Sequence, residues 1–296
     1  MNPQLIRARF SAVRHRTIAE LADKFLEPTP RGKVREILKV LKSGNLKDIA
    51  SWADDIKPTS KNKPTDSETK DFLNEFPDTR EWHFVDLPVD AHKYDVVEYA
   101  AFTRPDDIVH QTVESINILT NNSTKFSKPN ALRWLVHLVG DMHQPLHIAC
   151  SYVDLSQGIP VLVFDKDTIF AKHLLQKSDK GGNNINLPIH KALHSYWDSD
   201  LPEMDNNFDN TNFDSPAPVP IGDLINLPAQ WVSDNVKFAK EAYNGLTVKG
   251  ANAKQPNTID VDWDQNEYNH RCVPIIKSLS QKAASRLAFL LNTIYA

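Results

Sequence analysis

Apolar positions recur at helical spacing along most of the chain. From His15 onward, Ile18, Leu21, Ala22, Phe25 and Leu26 share one stripe, which Pro28 and Pro30 are expected to end. Residues 34–41 read as a second helix, stopped by Ser43-Gly44, and residues 46–52 as a third that leads into Ala53-Asp54-Asp55. Residues 57–67 carry two prolines among polar side chains and read as a loop. Ile108, Val109, Val113, Ile116 and Leu119 predict a helix over 106–119. Two long helices are predicted towards the end, over 221–243 and 265–295, the second interrupted at Pro274. Ile276, Leu279, Ala283, Leu287, Leu290 and Ile294 give that last helix a continuous buried stripe. One segment departs from the helical period: β-branched runs around Asp165-Lys-Asp167 predict a short β-hairpin near 160–170. Residues 202–220 are rich in Asn, Asp and Pro and read as a surface excursion. With no internal repeat and no break in composition, the expected fold class is all-α, a mostly helical single domain over 1–296.

The most informative stretch is Arg133 to His147. On a helix over 131–142, His137 and Asp141 stack on one face, with Cβ atoms roughly 5–6 Å apart. Trp134, Leu135, Leu138 and Val139 supply apolar bulk, so the helix should be buried. Pro145 should break it, leaving His147 beyond the break to face the same pocket from another direction. A lone buried His–Asp pair serves equally well as a core ion pair. Here the spacing is repeated at His194 and Asp198, again beside a tryptophan, Trp197. Two such pairs on two helices point to a metal-lined helical core. His15, Asp54 and His83 also sit beside apolar or aromatic anchors and complete a set of eight. Zinc takes neutral imidazoles and carboxylates, and eight such groups suit two or three ions if one carboxylate bridges. His92, His110, His143, His173, His190 and His270 read as surface or supporting groups, with His143 turned away from the centre.

Composition removes some alternatives. A net charge of −4 argues against a broad basic face for gripping duplex nucleic acid, although bound metal can still create a phosphate site. No run of eighteen or more apolar residues is present, so no membrane span is expected. The first residues lack the apolar core of a signal peptide. The two cysteines, Cys150 and Cys272, cannot form a cysteine-type zinc site.

Taken in order, Trp52-Ala-Asp54, Trp82-His83-Phe84, Trp134-Leu-Val-His137-Leu-Val-Gly-Asp141-Met-His-Gln-Pro-Leu-His147, Gly181-Gly-Asn183 and Leu193-His-Ser-Tyr-Trp197-Asp198 resemble a known family. It is the trinuclear-zinc, single-strand-specific nucleases: the fungal and plant class I nucleases and the 3′-nucleotidase/nucleases, related to zinc-dependent phospholipase C. The likeness extends from His15 into the last helix. It implies that Asp54, His83, His137 and Asp141 hold a first zinc, His147, His194 and Asp198 a second, and His15 with the bridging Asp141 a third. It further implies that Lys57 and Asn183 meet the phosphate beside Asp54 as catalytic groups. Phe84 would stack on a nucleobase, core packing being the alternative for that ring. The implied reaction is hydrolysis of single-stranded DNA or RNA, or of 3′-nucleotides, to 5′-phosphate products through a zinc-activated water. The resemblance implies a secreted or extracytoplasmic monomer.

Two departures qualify these expectations. In the family the third zinc also takes the amino group and carbonyl of an N-terminal tryptophan; here that place is Phe10, preceded by residues 1–9. The main chain of Phe10 could bind metal well only if cleavage freed it, so two to three zincs are expected. The connection over 148–180 is also longer than usual and should lie at the rim of the cleft. The competing readings are a phospholipase C-like phosphodiesterase and a degenerate member that binds without turnover because the N-terminal ligand is missing.

Overall fold

Proline placement, as much as apolar spacing, decides where the helices begin. The computed structural model describes residues 3–58, 60, 63–156, 158–204, 221–255 and 257–296, with only the backbone of 3–11, 203, 221 and 222. Helix α1 (Pro3–Lys24) ends before the first proline pair, and Pro28 opens α2 (Pro28–Val40) instead of lying in a gap. At a first helical turn the missing N–H costs nothing and the fixed φ already suits the helix. The third predicted helix is split into a 3₁₀ turn, Leu46–Ile49, and the short α3 (Trp52–Asp55).

An unanticipated helix, α4 (Ser67–Glu75), follows the expected loop, with the Asp66 side chain accepting from Thr69 N as its cap. Only Thr69 and Phe72 of this helix are buried, too thin a stripe to announce itself in the sequence. It ties α3 to the later chain around Arg133. Trp52 Nε1 donates to Thr69 Oγ1 at 2.8 Å, and Arg133 Nη1 reaches Thr69 Oγ1 and Asp66 Oδ1 at 3.1 Å each.

A 3₁₀ turn, Arg80–His83, leads to β1 (Leu87–Pro88), and α5 (Ile108–Leu119) packs on α6 (Lys128–Asp141). Asp107 caps α5 and Ser127 caps α6, and α6 is buried from Asn130 to Asp141. After a turn, Pro145 opens α7 (Pro145–Ile148), which runs into β2 (Ala149–Cys150). The strands β1 and β2 pair in parallel, and Val85 N donates to His147 O at 2.9 Å. This pairing sets the His83 segment alongside His147.

The hairpin expected around Asp165-Lys-Asp167 does not form. Strands β3 (Tyr152–Asp154) and β4 (Val161–Val163) do pair antiparallel, but the second limb, at Ile169 and Phe170, belongs to a helix, α8 (Lys166–Ala171). Asp165 accepts from Thr168 N and so caps a helix where a hairpin turn was expected. A mixed four-stranded sheet also went unforeseen. It is ordered β6-β5-β8-β7, from β5 (Ile185–Leu187), β6 (Lys191–Ala192), β7 (Thr247–Ala251) and β8 (Ile259–Asp262).

After β6, α9 (Leu193–Ser195) and α10 (Leu201–Met204) flank a π-helical stretch, Tyr196–Asp200. Residues 205–220, most of the predicted surface excursion, lie outside the described residues. The helix expected over 221–243 is broken into a 3₁₀ turn, Ile221–Asn226, then α11 (Leu227–Val236) and α12 (Ala239–Tyr243). Pro228 occupies the first turn of α11, which favours a start there.

The last helix, α13 (Gln265–Ile294), runs unbroken through Pro274, contrary to expectation. Both Pro274 and His270, whose carbonyl loses its partner, are exposed, so water can take up the freed bond. Helix far outweighs strand, 55% to 10%, and the small sheets do not close, so the chain is mostly α. Helix α13 packs on α1 and α6, within one connected apolar cluster that includes Ile18, Trp134, Trp197 and Leu291. Cys150 and Cys272 are both buried and free. Among the described residues, no helix is long and apolar enough to cross a membrane.

Candidate metal centre

Helix α6 supplies the middle of the centre. Its four-residue spacing puts His137 Nε2 3.2 Å from Asp141 Oδ2. Helix α1 crosses above it and lays the His15 ring on the His137 ring, with Nε2 of His15 3.1 Å from Asp141 Oδ1. That approach needs a bare position beneath it, since a Cβ on Gly140 would stand 2.6 Å from His15 Nδ1. The 3₁₀ turn before β1 brings His83 Nδ1 to 3.0 Å from Asp141 Oδ2, and α3 brings Asp54 Oδ1 to 3.7 Å from His137 Nε2. On the other side, His147 bridges two carboxylates: its Nδ1 is 3.7 Å from Asp141 Oδ1 and its Nε2 3.5 Å from Asp198 Oδ1. His194 Nε2 lies 3.3 Å from Asp198 Oδ2.

All eight sequence-derived residues therefore meet. They fall into three sets able to hold a metal ion: His15, His137 and Asp141; Asp54, His83 and His137; and His147, His194 and Asp198.

Hydrogen bonds to main-chain carbonyls orient three of the imidazoles. His137 Nδ1 lies 2.8 Å from Ala50 O, His147 Nδ1 3.0 Å from His83 O, and His194 Nδ1 2.8 Å from Gly181 O. A carbonyl only accepts, so each Nδ1 carries hydrogen, and in the neutral ring each Nε2 presents a lone pair. Those lone pairs face carboxylate oxygens at 3.2–3.5 Å. Two acceptors at that distance repel unless a proton or a metal ion stands between them. His83 Nε2 and His15 Nδ1 are also buried without a hydrogen-bond partner. The donor set fits metal ions with imidazole and carboxylate preference, zinc foremost.

Electrostatics agree. Burial raises the cost of charge on Asp141, yet His137, His147 and His15 hold its pKa well below the usual carboxylate range. Asp198 is likewise lowered, by His194 and His147 against burial. Burial and then Lys57 push His83 down to about 3, so that ring is neutral at physiological pH. Lys57 Nζ lies 2.6 Å from Asp54 Oδ1, and Asp54 outweighs burial to raise the lysine, which stays charged.

The remaining predicted residues lie around this core. Phe84 is half-buried and outside the connected apolar cluster, which favours an available ring over core packing. Asn183 is exposed, its Nδ2 donating to Lys180 O at 2.8 Å. Phe10 falls within α1, but its side chain lies outside the described residues. His143 is buried away from the three metal-sized sets, with Nδ1 2.7 Å from Val139 O and Nε2 3.0 Å from Arg286 Nη1.

Sequence reasoning passed over two neighbours. Gln144 Nε2 donates to Asp198 Oδ1 at 2.9 Å, which orients that carboxylate. Arg14 is buried beside His15, and its Nη2 donates to His143 O at 3.3 Å. Burial lowers the Arg14 guanidinium to about 10 against the pull of Asp198 and Asp141. An arginine directly before a candidate ligand on a buried helix was the available signal.

A mostly helical chain whose imidazoles and carboxylates converge in three sets able to hold a metal ion, two of them sharing His137, has the make-up of a metal-centre hydrolase. Residues 10–296 match the family model described as S1/P1 Nuclease, and the chain belongs to that family. It is 25% identical to Endonuclease 4 of Arabidopsis thaliana over 295 residues, which cover 95% of this chain and 88% of the relative. It is 24% identical to Nuclease S1 of Aspergillus oryzae over 284 residues, 95% of this chain and 90% of the relative. Against Nuclease P1 of Penicillium citrinum, identity is 27% over 199 residues, 66% of this chain and 58% of the relative. The protein is a nuclease, a hydrolase acting on nucleic acid.

Proposed function

We propose that the chain is a zinc-dependent phosphodiesterase that cleaves single-stranded DNA or RNA, and 3′-nucleotides, to 5′-phosphate products. The observation that carries the zinc reading is the convergence of eight imidazoles and carboxylates into three sets able to hold a metal ion. Asp54, His83, His137 and Asp141 would hold one ion, and His147, His194 and Asp198 a second. His15 and Asp141 would hold a third, joined by the main chain of Phe10 where that residue is freed, giving two to three ions. When bound, zinc supplies Lewis acidity and activates water for attack on phosphorus.

The chain's own residues do the rest. Asp54 fixes Lys57, whose ammonium stays charged and meets a non-bridging phosphate oxygen. The exposed amide of Asn183 lies on a turn from which it can donate to the same phosphate. Phe84 offers a face to a nucleobase, and only an unstacked base can use it, which supports preference for single strands. We place the protein outside the cytoplasm, as one domain and a monomer, on family likeness.

The deciding experiment measures metal per chain together with release of acid-soluble nucleotides from single-stranded and duplex DNA, before chelation, after it, and after zinc is returned. Loss and recovery of activity with zinc, and faster release from single strands, are expected. Full activity in excess chelator would overturn the zinc reading.

A further inference from the structure

The turn after α8 contains a carboxylate that the reaction does not use. Asp179 is fully buried, and its partners are an amide and two hydroxyls. Its Oδ1 accepts from Gly182 N at 3.1 Å, and its Oδ2 accepts from Ser151 Oγ and Tyr243 Oη at 2.7 Å each. Its own N donates to Ser151 O, and its O accepts from Asn184 N, both at 2.9 Å. The turn is thereby gripped from inside by β2's exit and the end of α12.

What the turn presents is specific. Gly181 and Gly182 have φ of +58° and +79°, and a Cβ on Gly181 would lie 2.1 Å from Leu146 O. No other residue type permits that approach. It sets Gly181 O 2.8 Å from His194 Nδ1, while Gly182 O accepts from His194 N at 3.3 Å. Both backbone acceptors of His194 are thus carbonyls of the two glycines that Asp179 fixes. The adjacent residue is Asn183.

We propose that Asp179 is a positioning residue. Through the Gly181-Gly182 turn it sets the tautomer and direction of the His194 ring, and it presents Asn183, without itself touching metal or substrate. Burying a carboxylate with only neutral partners is costly: burial pushes Asp179 up to about 6, despite the bonds from Ser151, Tyr243 and Gly182. A conformational duty explains why that cost is kept. Direct hydrogen-bond partners of ligating histidines typically change metal affinity by about 10–100-fold when removed, and Asp179 acts one step behind such a partner, the Gly181 carbonyl.

The inference rests on reading His194 as a metal ligand, and the test separates the two. Zinc is titrated calorimetrically into the metal-stripped full chain, and the His194 ring nitrogens are followed by NMR in the same metal-free samples. Asp179→Asn should weaken one zinc step by about tenfold or more, leave the others within about twofold, and replace the single Nδ1–H tautomer of His194 by a mixture. Tyr243→Phe and Ser151→Ala should weaken the same step by less. A folded Asp179→Asn chain with unchanged affinity and an unchanged tautomer would overturn the proposal. Where Asp179→Asn does not fold, wild-type behaviour of both milder variants overturns it equally. His194→Ala is the separate control: should it keep every zinc, the ligand reading fails, while the NMR result still judges the link from Asp179 to His194.

Discussion

The rings of His15 and His137 stack with centroids 3.9 Å apart and planes 18° apart, above the bare Cα of Gly140. Two buried imidazoles this close cannot both be cationic cheaply. Burial and then His137 lower His15, while Asp141 and Asp54 outweigh burial to raise His137. His15 is therefore the neutral partner, ready to bind metal.

Gly140→Ala tests that stack. The added methyl would meet His15 Nδ1 at 2.6 Å and must push the ring aside. Overpacking of this kind costs about 1–3 kcal/mol. The variant should melt at a lower temperature and lose zinc from the set that includes His15. Unchanged zinc per chain would show that the ring can relax without leaving the centre.

Asp141→Asn should be more damaging than Asp198→Asn. Asp141 lies within 3.0–3.7 Å of four imidazoles, those of His15, His83, His137 and His147, whereas among the described imidazoles Asp198 meets two, His147 and His194. Metal analysis should find more than one ion missing from the first variant and about one from the second. The reverse order would rule out a bridging Asp141.

Phe84→Ala should raise KM for single-stranded DNA by about tenfold or more, since base–aromatic stacking is worth about 1–3 kcal/mol. A base-free phosphodiester should be cleaved as before. Because the ring lies outside the connected core, the melting temperature should barely change. Equal losses on both substrates would instead mark Phe84 as structural.

Stability of the metal-stripped chain should depend on His147. Burial opposes its charge, but Asp141 and Asp198 outweigh that and push it from an ordinary 6.5 up to about 9. A raised folded pKa contributes stability that is complete below the unfolded value and is lost as pH rises through the folded one. The stripped chain should thus lose its advantage over His147→Gln between about pH 6.5 and 9.5. Zinc must displace that same proton, so over this range its protection against melting should grow. A flat difference between the two chains would contradict the assignment.

The candidate ligands were legible because their chemistry resides in side-chain identity and a four-residue period: His137 with Asp141, and His194 with Asp198. The helices over Ile108–Leu119 and Lys128–Asp141 were legible for a similar reason, a thick apolar stripe. Helix α4 was hidden because it buries only two residues, and the mixed sheet because its strands are two to five residues long. Pro274 misled because sequence alone does not reveal that its helix face meets water. Asp179 had a faint signature, an Asp shortly before Gly181-Gly182, but its hydroxyl partners, Ser151 and Tyr243, are distant in sequence.

Three imidazoles of the centre take their bearings from main-chain carbonyls, those of Ala50, His83 and Gly181. Every amino acid carries a carbonyl, so this layer of the centre makes little demand on side-chain identity. Ala50 could be exchanged for any residue its packing tolerates and the imidazole of His137 would still find its acceptor. Position 83 is restricted by its own imidazole, and position 181 by backbone shape, not by functional group. A lineage can therefore rewrite much of the surrounding protein while its ligand geometry stays fixed. That freedom is physically consistent with a chain that shares about a quarter of its residues with its named relatives and still assembles eight converging donors.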